Sequence, residues 1–512
     1  MTRPMALSDV DDRLQAGGDH DDHGGDEGGD EPGGDGSDHR RKTLEVHHAQ
    51  TIWLPWTLVL LGVWTVLAPV TFGYLDESSW VVPSGGRGAW FSDGTHDELR
   101  AWLMVWSDVV AGAALVVLGV RALKPDRPIA WWGACFVGIW LVFAPVLFWS
   151  PVAAGYYHDS TVGLLVIALA ILIPGMPNMA MYMQMGPPRP PGWTYNPSSW
   201  SQRSILIALG FAGLVVSRYL GAFQLGYIES VWDPFFGFES GTMPVLNSDM
   251  SHMWPISDAA LGAVAYSFEF LMGYMGGPSR WRTMPWMVTI FGILVIPLGL
   301  AHIALVMSQP IVVHEWCTFC LVAAAIMLPM IPLEFDEVVA MLQHVRDSKR
   351  RGDRGGSLWK IFWMGGSGDA SQPDDRTPAI AELADRPGAV ARASVWGFSA
   401  PGTLLVSAVL GVWLLAAPAV FEVPITSGAA DVAHLLGAAV VVVAVVSMGE
   451  VVRAFRLLGV ALGLAAAVLV WLTSSPTDFR IVLTVTGLAV AALVWPRGRI
   501  TEHYGDWDRF VR

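Results

Sequence analysis

Apolar runs of about twenty residues return again and again along this chain, and no other feature limits its fold as tightly. They lie near residues 52–72, 99–121, 129–148, 161–175, 204–225, 256–276, 284–308, 315–332, 400–420, 430–452, 457–473 and 479–495. Most are ~17–25 residues, enough to cross about 30 Å of hydrocarbon at about 1.5 Å per residue as an α-helix. In lipid every backbone polar group needs a partner within its own segment or in a closed barrel, and these runs lack the alternation of barrel strands. The sequence therefore predicts an all-α, polytopic membrane protein with about 12 transmembrane helices. Charge agrees: 15% of the residues are charged, against about 25% in a soluble chain.

Lysine and arginine fix the expected orientation. Arg40, Arg41 and Lys42 precede the first run, and Arg121, Lys124 and Arg127 follow the second. Arg280 and Arg282 follow the sixth, Lys349, Arg350 and Arg351 the eighth, and Arg497 and Arg499 the last. The alternate loops are acidic, with Asp76, Glu77, Glu98, Glu229, Asp233 and Glu239. Both termini are expected in the cytoplasm and the chain in the cell inner (plasma) membrane. No charged stretch followed by a short apolar core opens the sequence, so no cleavable signal is expected. Residues 1–42 carry 12 acidic and 5 basic side chains, half of the net charge of −14. That Gly/Asp/His tail, residues 1–50, is too polar to fold and reads as solvated and disordered rather than as a metal site. No basic stripe suggests nucleic acid.

Composition divides the rest. Residues 51–178 hold the first four spans, 179–202 a Pro-rich linker, and 203–346 four further spans ending in a short polar helix. Residues 347–395 read as a flexible cytoplasmic linker, 396–496 as the last four spans, and 497–512 as a cytoplasmic tail. A repeat links the outer regions: Gly62-x-Trp64-x-x-x-Ala68-Pro69, Gly138-x-Trp140-x-x-x-Ala144-Pro145 and Gly411-x-Trp413-x-x-x-Ala417-Pro418, each followed by Phe. Glycine permits close helix approach, Trp suits the interface, and Pro is tolerated where a helix ends. The motif resembles the SPW repeat, a short membrane module, in residues 51–178 and 396–496. A fourth, degenerate copy lies near Trp471. Helix packing accounts for all of its named residues.

Chemistry concentrates in the centre. The chain has three cysteines. Cys317 and Cys320, in His314-Glu-Trp-Cys-Thr-Phe-Cys, open the eighth span on its outer side. Cysteines at i and i+3 share one helix face and can join. The helix N-terminus favours a thiolate there, and an oxidising compartment suits a cycling disulfide. Zinc is not expected, since the pair and His314 fall short of four ligands. Cys135 reads as a buried thiol and His302 as a packing residue. Glu269 and Asp108, carboxyls within the membrane, are functional candidates by position.

The order of these central features resembles the vitamin K epoxide reductase family. A first span, Ser204–Leu225, leads into a long outer loop. Pro255-Ile-Ser-Asp258 opens a second span, Arg280-Trp-Arg282 precedes a third, and the Cys pair opens a fourth. The resemblance implies a four-helix bundle passing electrons between Cys317/Cys320 and a quinone of menaquinone or ubiquinone type. It further implies a thioredoxin-like thiol partner outside the membrane. In that reading Cys320 reacts with the quinone and Cys317, nearer the water, exchanges with the partner. Asp258, Asn247 and Ser248 bond a quinone carbonyl, Trp254, Trp316 and Phe319 cover its ring, and Glu269 handles a proton or pairs with a polar neighbour. Asp258 reads equally as a helix cap or as an ion pair with Arg218. One departure is large: no cysteine lies between residues 136 and 316, and Thr242 stands where a second loop cysteine is usual. A non-catalytic membrane scaffold therefore remains the rival reading. A small-solute transporter using Glu269 and Asp108 is a third, without an inverted repeat to support it.

Overall fold

The computed structural model describes residues 48–83, 96–125, 127–171, 188–366 and 372–512. The tail to residue 47 and the first part of the Pro-rich linker, 179–187, lie outside the described residues. Twelve long helices run through the described residues: α1 Trp53–Thr71, α2 Asp97–Ala122, α3 Pro128–Leu147, α4 Ala153–Ile171, α5 Trp200–Gln224 and α6 Asp258–Tyr274. They continue as α7 Pro285–Val312, α8 Thr318–Arg351, α9 Gly402–Val420, α10 Gly428–Val446, α11 Glu450–Leu472 and α12 Thr477–Val494. Eleven are long and apolar enough to cross a membrane, and α6, with 17 residues, is the shorter one. The protein is an all-α, multi-pass membrane protein.

Two helices differ from the reading of their sequence. The span expected over 315–332 does not stop there. It runs as one helix of 34 residues through Pro329 and Pro332 to Arg351, so the expected separate polar helix is its second half. Its end follows ordinary chemistry: Lys349, Arg350 and Arg351 occupy the last turn, and Gly352 closes it at φ 79°, a left-handed position that suits glycine. In α7 the turn Leu294–Leu298 widens to π geometry around Pro297, whose missing N–H cannot support the regular ladder.

The flanking helices form hairpins that all cross in the same way. A Cβ on Gly62 would stand 2.7 Å from the carbonyl of Gly112, one on Gly138 2.9 Å from that of Gly163, and one on Gly411 2.8 Å from that of Gly437. Gly463 meets Gly487 more closely still. At every crossing the glycine also faces the backbone or side chain of the residue four positions beyond its partner. Among the described residues the pairs α1–α2, α3–α4, α9–α10 and α11–α12 thus cross alike, with Gly463 at the crossing of the fourth. Its place equivalent to Trp64 is Ala465. In the first ring α1 packs on α2 and α4, and α3 on α2 and α4; α9–α12 repeat this arrangement. Helices α5–α8 lie between, with α6 against α3 and α4, and α7 and α8 against α10.

The Arg-rich end of α5–α8 is locked by buried polar pairs. Arg280 Nε donates to Glu337 Oε1 at 2.6 Å and its Nη2 to Oε2 at 2.5 Å, and Arg203 donates to the carbonyls of Gly273, Met275 and Gly276. The Tyr195 hydroxyl donates to Asp336 at 2.6 Å, and the Tyr504 hydroxyl to Glu450 at 2.9 Å. The stretch 347–395, expected as a loose linker, is folded against these helices wherever it is described. Residues 372–373 pair with 188–189, Leu358–Met364 is helical with Ile361 buried, and Arg376 clamps Glu502 at 2.5 and 2.8 Å. Burial alone would raise the Glu502 carboxyl, but the Arg376 guanidinium and the Thr194 hydroxyl outweigh it and hold it below the usual range.

Candidate functional site

The opposite end of the central helices carries the sulfur pair. Cys317 and Cys320 form a disulfide, with Sγ–Sγ 2.07 Å and Cα–Cα 5.2 Å. Cys317 is the residue that caps α8, and its Sγ accepts from the Cys320 N–H at 3.1 Å. That sulfur thus stands at the positive end of the helix with an N–H donor directed at it. The Cys317 N–H is turned to Gln309 Oε1 at 3.4 Å.

Around the pair the chain is apolar. Leu220 and Phe223 from α5, Val231, Val245 and Leu246 from the loop, and Val306 from α7 share one buried cluster with both sulfurs. Both sulfurs are covered, although Cys317 stands at the very start of α8. Cys317 is 0% exposed and Cys320 8%. The cause is the short helix Thr242–Leu246, which packs against the start of α8. Gly241, just before it, leaves no room for a side chain: its Cβ would sit 2.7 Å from the Trp316 carbonyl. Thr242 is fully buried and its hydroxyl has no hydrogen-bond partner.

The other expected site residues are scattered. Phe319 stands edge-on to Tyr219, ring centroids 5.4 Å apart. Trp316 turns away from α5–α8 and meets His434 of α10 at 5.3 Å. Trp254 is 57% exposed, Asn247 is exposed, and Ser248 spends its hydroxyl on the Val245 carbonyl. Asp258 forms no ion pair with Arg218, whose guanidinium goes instead to Ser160 Oγ at 2.8 Å. Nor is it the cap of α6, a role held by Ser257. Its Oδ1 accepts from Gln224 Nε2 at 2.6 Å, Ser251 Oγ at 2.9 Å and the Ala259 N–H at 2.7 Å.

Gln224 is the hub that sequence reasoning missed, because amide side chains carry no spacing signal. Its Nε2 donates to Ser251 and Asp258, and its Oε1 accepts from Ser257 Oγ and the Ala259 N–H. One side chain thus ties the end of α5 to the loop and to the start of α6. Tyr266 was missed likewise: its hydroxyl donates at 2.9 Å to the Ala323 carbonyl, three residues beyond Cys320. Glu269 is 1% exposed, and neither of its oxygens has a hydrogen-bond partner, so no polar neighbour pairs with it.

Residues 204–335 match the vitamin K epoxide reductase family, so α5–α7 and the first half of α8 are a domain of that family. The match covers about a quarter of the chain and contains both sulfurs. No curated protein and no solved structure matches the chain. A family domain with a disulfide at the head of its last span supports a membrane thiol oxidoreductase kind of function.

Proposed function

We propose that α5–α8 use the Cys317–Cys320 pair to pass electrons from an extracytoplasmic thioredoxin-like dithiol to a membrane quinone. The observation that carries this reading is the disulfide itself, at the first turn of α8 within the family domain. The steps balance in two halves. First, a partner thiolate attacks the disulfide, the partner leaves as its own disulfide, and Cys317 and Cys320 take up two electrons and two protons. Second, the pair returns both electrons and both protons to the quinone, re-forming the sulfur–sulfur bond and leaving a hydroquinone. A bound quinone supplies the two-electron acceptor. The apolar cluster and the Phe319 and Tyr219 rings suit its ring. The unpartnered Thr242 hydroxyl is a donor fit for one carbonyl. Asp258 has its acceptors filled and serves as a support. The Cys320 sulfur, the more exposed of the two, would face the quinone, and the Thr242–Leu246 turn would lift to admit the partner to Cys317.

In this reading the protein lies in the plasma membrane with both termini in the cytoplasm, as the Lys/Arg distribution favours. The flanking hairpins, residues 51–178 and 396–496, are SPW-type modules that brace the central domain, residues 203–346. The rival is a scaffold without redox turnover, favoured by the missing loop cysteines and the cover over Cys317. Whole cells treated with a membrane-impermeant alkylating reagent separate the two. Labelling of Cys317 and Cys320 only after reductant is the redox result. Labelling indifferent to reductant, with unimpaired growth of Cys317→Ala/Cys320→Ala cells under thiol stress, is the scaffold result.

A further inference from the structure

The two rings of hairpins are built alike, but their interiors differ at equivalent places. Four residues before the crossing glycines of α2 and α4 stand Asp108 and Asp159; four before those of α10 and α12 stand Ala433 and Leu483. Five residues beyond the motif proline stands Tyr74 in the first ring and Val423 in the second. All are buried, with Ala433 1%, Leu483 0%, Asp108 0% and Asp159 0% exposed. In the second ring Val423, Ala433 and Leu483 belong to one hydrocarbon core. The fold is therefore content with apolar side chains there, and the first ring carries two carboxyls that packing does not require. Burying such groups in a lipid-embedded bundle costs stability unless something pairs with them.

The carboxyls are joined by His158. One donor atom from each of Asp108, His158 and Asp159 lies within 4.8 Å of the other two. His158 Nδ1 contacts Asp159 Oδ1 at 2.8 Å, and the Tyr74 hydroxyl donates to Asp108 Oδ2 at 2.9 Å. The remaining atoms, Asp108 Oδ1, Asp159 Oδ2 and His158 Nε2, are buried and have no hydrogen-bond partner. They come from α2 and α4, helices that share neighbours in the ring, so the donors converge inside it, as metal sites in helix bundles do.

We infer that the first ring holds a divalent transition-metal ion of the zinc or manganese kind, bound by Asp108, His158 and Asp159. Two carboxylates and one imidazole make a sulfur-free N/O donor set that suits such ions, and their two negative charges match the ion's two positive ones. Three protein donors leave a tetrahedral site one position open to water. Tyr74, bonded to Asp108, holds that carboxylate in place and is a positioning residue. The site is independent of the sulfur pair, which lies in another domain.

The test uses the full-length protein in detergent, loaded with zinc chloride or manganese chloride, desalted and measured for metal content and thermal unfolding. Asp108→Ala/Asp159→Leu copies the side chains that the second ring already uses. The expected result is one ion per chain lost in that variant, with metal raising the unfolding temperature of the unaltered protein but not of the variant. Ions held by histidines of the tail are common to both and cancel in the comparison. Should the double variant not fold, Tyr74→Phe keeps every donor and is expected to bind zinc about tenfold more weakly. Metal content and metal-induced stabilisation equal in the unaltered protein and the folded variants would overturn the site. A proton shared between the two carboxyls would then be their state.

Discussion

Replacing Asp258 by Asn asks whether this carboxylate faces the reaction or holds the protein together. Its Oδ1 accepts three hydrogen bonds, from Gln224 at 2.6 Å, Ser251 at 2.9 Å and the Ala259 N–H at 2.7 Å. The Ser251 hydroxyl also reaches Oδ2 at 2.9 Å. Asn keeps one acceptor oxygen but removes the charge and puts an NH₂ where Oδ2 stood. Each of the three bonds to Oδ1 then falls from charge-assisted to neutral strength, a loss of about 1 kcal/mol apiece. The total is about 2–3 kcal/mol after the oxygen that Asn retains is allowed for. Thermal unfolding in detergent should show a clear drop, while quinone-driven reoxidation of the sulfur pair keeps its KM for the quinone. An unchanged unfolding temperature with reoxidation abolished would refute this reasoning and return Asp258 to the quinone.

Gly241→Val sets a branched side chain against the Trp316 carbonyl, 2.7 Å from its Cβ, and should lift the turn off Cys317. Reduction of the disulfide by a small phosphine, followed by alkylation, should then be faster than in the unaltered protein. Arg280→Met leaves Glu337 buried without its partner and should cost about 3–5 kcal/mol in thermal unfolding, most of it recovered in Arg280→Met/Glu337→Leu. Gly463→Val drives a branched side chain into the backbone of Gly487 and should cost at least about 1–3 kcal/mol by the same measurement. The Glu502 carboxyl is held below its usual range. Its contribution is therefore complete above the unfolded value of about 4.3 and is lost as pH falls through the folded value. Arg376→Ala should move that acid loss of stability to higher pH, read by unfolding temperature against pH.

The spans were legible because lipid tolerates little besides long apolar helices, and the Cys pair because three residues set both sulfurs on one face. The glycine crossings follow from the same motif that marked the repeat. What the sequence hid was set by partners far apart in the chain. The eighth span read as ending at residue 332, yet α8 passes through Pro329 and Pro332 to Arg351. Neighbouring helices supply the packing that a lone segment lacks. Helix position gives the depth of Cys317 but not its cover, which a loop residue as small as Gly241 decides. Gln224 binds groups between 22 and 35 positions away and so left no local pattern. Asp108 was noticed alone; its partners Tyr74, His158 and Asp159 come from other helices and loops and were invisible as a set.

Whether Cys317 and Cys320 cycle against a quinone can be read on the sulfurs themselves. A Cys135→Ser protein in membranes, leaving the pair as the chain's remaining cysteines, is reduced and freed of reductant. A short-chain naphthoquinone or benzoquinone is added anaerobically, and the thiols are tagged with a mass label. Both sulfurs should be tagged before the quinone and neither after it, with hydroquinone appearing in step. Sulfurs that stay tagged in the presence of the quinone would contradict this cycling.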